Sequence, residues 1–153
     1  MNTYFDKNGT KILTGCVVKI SNSYFKSDNG TWLVIHAPGD PGWNGNDLCM
    51  KKIRRDGKLS ETKYNLCFWP ITSYVNDREK AAAAKEWNRA HAEIEIVEPK
   101  VYDHIAEYFT GEADKADQQA EYIERGWGET DSSKSLRAKS DFLRFTAGVV
   151  SNV

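Results

Sequence analysis

The sequence predicts an α+β protein, with a β-rich domain over residues 1–97 that holds one inserted helix, followed by a helical extension over residues 98–153. Three observations carry that expectation. Short apolar runs separated by turn dipeptides such as Asn8-Gly9, Asn29-Gly30 and Asp56-Gly57 fill the first two thirds of the chain. One alanine-rich segment, Ala81 to Ala84, interrupts them. Beyond Pro99 the apolar spacing changes to the three- and four-residue intervals of helices.

Taken in order, Tyr4-Phe5 and Lys11-Ile12-Leu13 flank a hairpin turn at Asp6-Lys7-Asn8-Gly9, where Asn-Gly supplies positive φ. Gly15 to Ile20 is rich in β-branched residues and reads as a strand. Thr31 to His36 is apolar on both faces, as a central strand is. Leu48 to Arg54 and Lys58 to Trp69 are strands around Asp56-Gly57, the second beginning as late as Tyr64, and Pro70 marks an edge or break. Ile71 to Val75 is a further candidate. Asn76 and Glu79 form a capping box for a helix over 77–91. Glu93 to Val97 alternates with period two, with Ile94 and Ile96 inward. Val101, Ile105, Tyr108 and Phe109 share one helical stripe that Gly111 is placed to end. A polar helix then runs from Glu112 to Arg125, Gly126-Trp127-Gly128 breaks it, and Ser132 or Ser133 caps a last helix. Five or six short strands with one inserted helix fit a small, partly open β-barrel of the SH3-like kind. The alternative is a twisted antiparallel sheet covered on one face by the 77–91 helix.

Composition narrows the function classes. At 153 residues with 40% hydrophobic side chains, the chain can bury a core. The net charge of −1 divides into +3 for residues 1–97 (14 Lys+Arg, 11 Asp+Glu) and −4 for the remainder (7 and 11). Neither half carries the basic excess of a dedicated nucleic-acid binder. No apolar run is long enough to span a membrane, and the first residues lack the pattern of a signal peptide. Three cysteines, Cys16, Cys49 and Cys67, are an odd number without close spacing, so a cytoplasmic protein with buried thiols is expected.

Two surface features stand out. Lys51, Lys52, Arg54, Arg55 and Lys58 place five cations in eight residues around Asp56-Gly57. Alternation along a strand puts such charge on both faces of a projecting ribbon that can neutralise phosphates, with Tyr64 and Trp69 near enough in sequence to stack on bases. A solvated edge that deters strand-to-strand aggregation has the same composition. The Pro/Gly/Asn-rich loop from Ala37 to Asp47 holds Trp43, flanked by Asp40 and Asn44, as an indole anchor for a partner or a staple over the barrel. Its oxygen ligands do not have calcium-loop spacing, and His36 with Cys16, Cys49 and Cys67 lacks zinc-finger intervals, so neither metal nor cofactor is expected. Cys67 with His36 or His91 has no nucleophile signature around it. No phosphate loop, dinucleotide turn or metalloprotease helix is present.

Two stretches resemble known families. Asp6-Lys7-Asn8-Gly9 through Gly15-Cys16-Val17-Val18-Lys19-Ile20 resembles the opening of YopX-type and other phage barrel proteins, with Cys16 standing where an acidic residue is usual. Gly30-Thr31-Trp32-Leu33-Val34-Ile35-His36-Ala37-Pro38-Gly39-Asp40-Pro41, with Phe68-Trp69-Pro70 and the 77–91 helix, resembles a module of mobile elements and prophages of gut Firmicutes; together the likeness covers about residues 9–97. It implies an accessory or binding role and no defined reaction. The expectation is therefore a non-catalytic binding module that engages a host or element-encoded protein, one form being an anti-defence protein. Asp40, Trp43, Asn44 and the Lys51–Lys58 ribbon would make the contacts, and Phe142, Leu143 and Phe145 on the last helix would serve a homodimer. A nucleic-acid-binding barrel is the alternative, and a small cysteine-dependent or hydrolytic enzyme the third reading.

Overall fold

In a computed structural model of the chain, residues 4–22, 26–43, 45, 48–60, 66–67, 74–75, 93–97 and 103–151 are described; the expected 77–91 helix lies outside them. The protein is α+β. It divides into two compact units, one of Met1–Pro38 with Gly45–Glu98 and one of Gly39–Asn44 with Pro99–Val153.

The first unit is built on a five-stranded antiparallel sheet in the order β5-β4-β3-β2-β7, formed by β2 (Val17–Ser21), β3 (Gly30–His36), β4 (Cys49–Ile53), β5 (Leu66–Cys67) and β7 (Glu93–Val97). A separate pair joins β1 (Tyr4–Phe5) to β6 (Tyr74–Val75). Among the described residues the larger sheet is open, with β5 and β7 at its edges. The β-branched content of β2, β3 and β7 suits this pleated, half-buried surface. Successive side chains alternate between faces. Val18, Ile20, Trp32, Val34, Met50 and Ile94 share one face and form the core with Tyr4, Ile12, Ala37 and Leu48. Val17, Leu33, Ile35, Cys49 and Ile53 are also buried, so β3 is covered on both faces. Its continuous Trp32-Leu33-Val34-Ile35 run is the sequence correlate of that burial.

Two turns of the same kind set the hairpins. Gly9 (φ 83°) and Gly57 (φ 84°) alone carry positive φ in Asp6–Thr10 and Arg54–Lys58. The amide of Gly9 donates to Asp6 O (3.0 Å) and that of Gly57 to Arg54 O (2.9 Å). Each is a three-residue loop whose last position is left-handed, and at the first turn Gly9 supplies the positive φ expected of Asn8-Gly9. The Asp6 carboxylate secures the first turn. Its Oδ1 accepts from the amides of Asn8 (3.0 Å) and Thr10 (2.9 Å), and its Oδ2 from the amide of Ile96 on β7 (3.1 Å). The Lys7 amide donates to Ile94 O (2.8 Å), and Lys7 Nζ lies 3.3 Å from Glu95. The first hairpin is thus fastened to a strand that follows it by about ninety residues.

The second unit contains a hairpin of two helices, α1 (Asp103–Trp127) and α2 (Asp131–Ser151). The expected stop at Gly111 does not occur, and one helix replaces two. A mid-helix glycine costs only about 1 kcal/mol, and the buried stripe Ile105, Phe109, Ala113, Ala116, Ala120 runs straight past it. The cap of α2 is also shifted. Thr130, not Ser132 or Ser133, is the cap: its Oγ1 accepts from the Ser133 amide (3.1 Å), while the Thr130 amide donates to Ser133 Oγ (2.9 Å). That is the reciprocal capping arrangement with serine in the usual Glu position.

Candidate functional site

The basic ribbon is the β4 strand and its turn. Its cations are not equivalent. Lys52 lies opposite Trp32 in the register. Its ammonium sits 5.4 Å from the indole centroid and donates to Ser27 O (3.2 Å), and Trp32 Nε1 donates to Asp28 O (2.9 Å). Lys52 therefore closes the short 3-10 turn Lys26–Asp28 over the sheet end. Lys51, opposite Leu33, is half-buried on the other face. Arg54 pairs with Asp56 within the turn (3.2 Å). Arg54, Arg55 and Lys58 are the exposed cations of the ribbon.

The Trp43 loop belongs to the helical unit. Trp43 and Asp40 are half-buried, and the Trp43 amide donates to Asp40 O (3.1 Å); Asn44 lies outside the described residues. A Cβ on Gly42 (φ 75°) would stand 3.1 Å from Lys139 Cδ, so the loop lies against the stem of a lysine on α2. Sequence reading missed this association, since nothing local in 39–44 names α2 as its neighbour.

The helical hairpin carries a more organised surface. Along α2, Ser133, Ser140, Leu143, Ala147 and Val150 are buried at alternating three- and four-residue steps that Leu136 completes. That is heptad spacing. With Ala113, Ala116 and Ala120 on α1, the contact is dominated by small residues that let the backbones approach closely. Leu143, 3% exposed, belongs to this intrachain seam. Its side chain is already packed within the chain.

One flank of the seam is sealed by charge. Arg137 binds Glu124 with two nitrogens (3.0 and 3.2 Å) and reaches Asp117 (3.3 Å), and Arg144 reaches Asp117 (2.7 Å) and Asp114 (2.8 Å). Hydrogen bonding from Arg144 holds the Asp117 carboxyl below its ordinary pKa, and that from Arg137 does the same for Glu124. The signal was present but unread: Asp117/Glu124 and Arg137/Arg144 are both seven apart, complementary rows on two helices.

The other flank is open and apolar. A groove of about 460 Å³ is lined by Lys115, Gln118, Gln119, Tyr122, Ile123 and Leu136. Tyr122 is 72% exposed, Trp127 73% and Phe145 70%, with Val149 also exposed; Phe142 is half-buried. Among the described residues these account for four of five exposed large hydrophobic side chains, Leu13 being the fifth, so apolar exposure concentrates on the hairpin.

The cysteines and histidines divide between faces. Cys16, hydrogen-bonded through its carbonyl to the Val34 amide (2.9 Å), packs against the core, and burial pushes its thiol pKa up. His36, Cys49 and Cys67 are successive cross-strand partners in the register, and Cys49 lies on the face opposite the core that Cys16 packs against. The four-ligand grouping weighed from the sequence is thereby split. His91 lies outside the described residues.

No helix among the described residues is long and apolar enough to cross a membrane. No protein family, no curated protein and no solved structure is matched by the chain.

Proposed function

We propose that the protein is a non-catalytic binding module of a phage or mobile element, acting inside the cell on a host or element-encoded protein, with interference in a bacterial defence complex as one form of that action. The observation that carries this reading is the exposure of Tyr122, Trp127, Phe145 and Val149 on a hairpin whose own seam is already filled. Large exposed aromatics cost solubility unless a partner covers them, and aromatic side chains dominate binding energy at interfaces. The contact surface thus moves from the Trp43 loop to the hairpin, with Arg54, Arg55 and Lys58 as a second, electrostatic contact. The partly open SH3-like barrel belongs to the same proposal: its support is the β2-β3-β4-β5 meander with β7 returning beside β2, and the likeness of residues 9–97 to mobile-element modules.

The test is co-purification with candidate defence complexes. The parent chain should bind one of them. Trp127→Ser with Phe145→Ser should weaken binding at least tenfold while melting at the parent temperature, and Arg54→Glu with Arg55→Glu should weaken it in a salt-dependent way. Binding that ignores both double variants removes the assigned surfaces. Retention on heparin with an affinity falling steeply in salt, and no protein bound, would instead establish the nucleic-acid reading carried by the exposed ribbon cations.

A further inference from the structure

The pairing of β4 with β5 brings together two cysteines whose chemistry nothing above uses. In the antiparallel register Cys49 of β4 stands directly opposite Cys67 of β5, with Met50 opposite Leu66 beside it. Directly opposed residues in an antiparallel pair have Cα atoms about 4.5–5.5 Å apart. A disulfide needs Cα atoms about 4.4–6.8 Å apart. The register alone therefore satisfies the distance condition without backbone movement. Among the described residues β5 is a two-residue edge strand paired with β4. Edge strands are the parts of a sheet that open most readily, which gives an oxidant access to the buried Cys49 beside it.

We propose that Cys49 and Cys67 form a modification site: a cross-strand dithiol that is oxidised reversibly by a small disulfide such as oxidised glutathione. One thiolate attacks a sulfur of the glutathione disulfide, the S–S bond breaks, and one glutathione leaves as its thiolate. The second cysteine, as thiolate, attacks the protein sulfur of the mixed disulfide and expels the second glutathione. The protein loses two protons and two electrons; the oxidant becomes two molecules of reduced glutathione. The bond closes the chain between residues 49 and 67 and staples β5 to β4. Cys16 takes no part, because it packs on the other face of the sheet.

The experiment uses the full chain, folded, incubated with oxidised glutathione, then alkylated, digested without reductant and mapped by mass spectrometry. The expected result is one intramolecular link joining the Cys49 and Cys67 peptides, a mass loss of about 2 Da for two hydrogens, alkylation at Cys16 alone, and reversal by dithiothreitol. A Cys16→Ser chain should give the same link, which keeps the outcome independent of any change to the pair itself. Three alkylated cysteines, glutathione adducts that never resolve, or links that include Cys16 would each overturn the assignment. So would a link that forms equally well in the chain unfolded in guanidinium, because register would then have no part in it.

Discussion

Asp6→Ala tests the fastening of the first hairpin. Asp6 is 3% exposed, and its two oxygens accept from three amides, those of Asn8, Thr10 and Ile96. Asn8 and Thr10 are themselves exposed, so water can replace the carboxylate there, and losing that part of the turn costs about 1 kcal/mol. The Ile96 amide is half-buried on β7 and would be left without its acceptor, a cost of about 1–3 kcal/mol. The sum is about 3 kcal/mol, which at about 4 °C per kcal/mol lowers the melting temperature by roughly 12 °C. Asp6→Asn keeps the Oδ1 acceptor but turns an NH2 toward the Ile96 amide, so about half of that loss is expected. Thermal and urea unfolding measure the change, and hydrogen exchange at the Ile96 amide locates it. A melting temperature within about 2 °C of the parent, with unchanged protection at Ile96, would refute the reasoning that this carboxylate joins the turn to β7.

Other perturbations reach the second unit and the sheet end. The Ser140 hydroxyl is buried in the helix seam and has no well-directed hydrogen bond among the described residues. Ser140→Ala should therefore stabilise the hairpin by about 1 kcal/mol, read from chemical denaturation. Asp117 and Glu124 have pKa values lowered by their arginine partners, so their contribution is complete at neutral pH and is lost as pH falls through the depressed native values. Helicity at 222 nm should hold its melting temperature from pH 7 to about pH 5 and lose it below about pH 4, and Arg137→Gln should flatten that profile. Lys52→Met removes the ammonium over Trp32 while keeping the stem, so a loss of about 1 kcal/mol with changed tryptophan fluorescence is expected. Unaltered fluorescence would place the lysine elsewhere.

The elements that were legible in the sequence are those set by local chemistry. Glu93–Val97 is β7 with the expected bounds because its alternation is complete within five residues, and Ile94 is fully buried as that alternation required. Gly57 turns β4 because left-handed φ at that point is a property of the residue itself. Long-range pairing was not legible. Nothing in Tyr4-Phe5 names Tyr74-Val75, and nothing in Val17–Ser21 shows that β7 would lie beside it. Gly111 misled because helix continuity is decided by the partner helix, here through Ala113, Ala116 and Ala120, more than by one residue's propensity. The cationic ribbon was found as a run of charge, but the indole beneath Lys52 is fixed only by strand register. The arginine rows of α2 could have been found from their seven-residue spacing, had the two segments before Trp127 been read as one helix.

The pairing of β2 with β7 bears on how the chain is made. Val17–Ser21 leaves the ribosome ahead of its second neighbour, Glu93–Val97, which emerges only after more than seventy further residues. Until then one side of β2 has unfilled donors and acceptors, a template for pairing with the wrong segment or another nascent chain. Lys19, exposed in the middle of that strand, places a charge where such mispairing would begin. Synthesis that pauses before residue 93 would hold the polypeptide in its most association-prone form, and the release of that single segment converts it into a sheet with its long central strands paired.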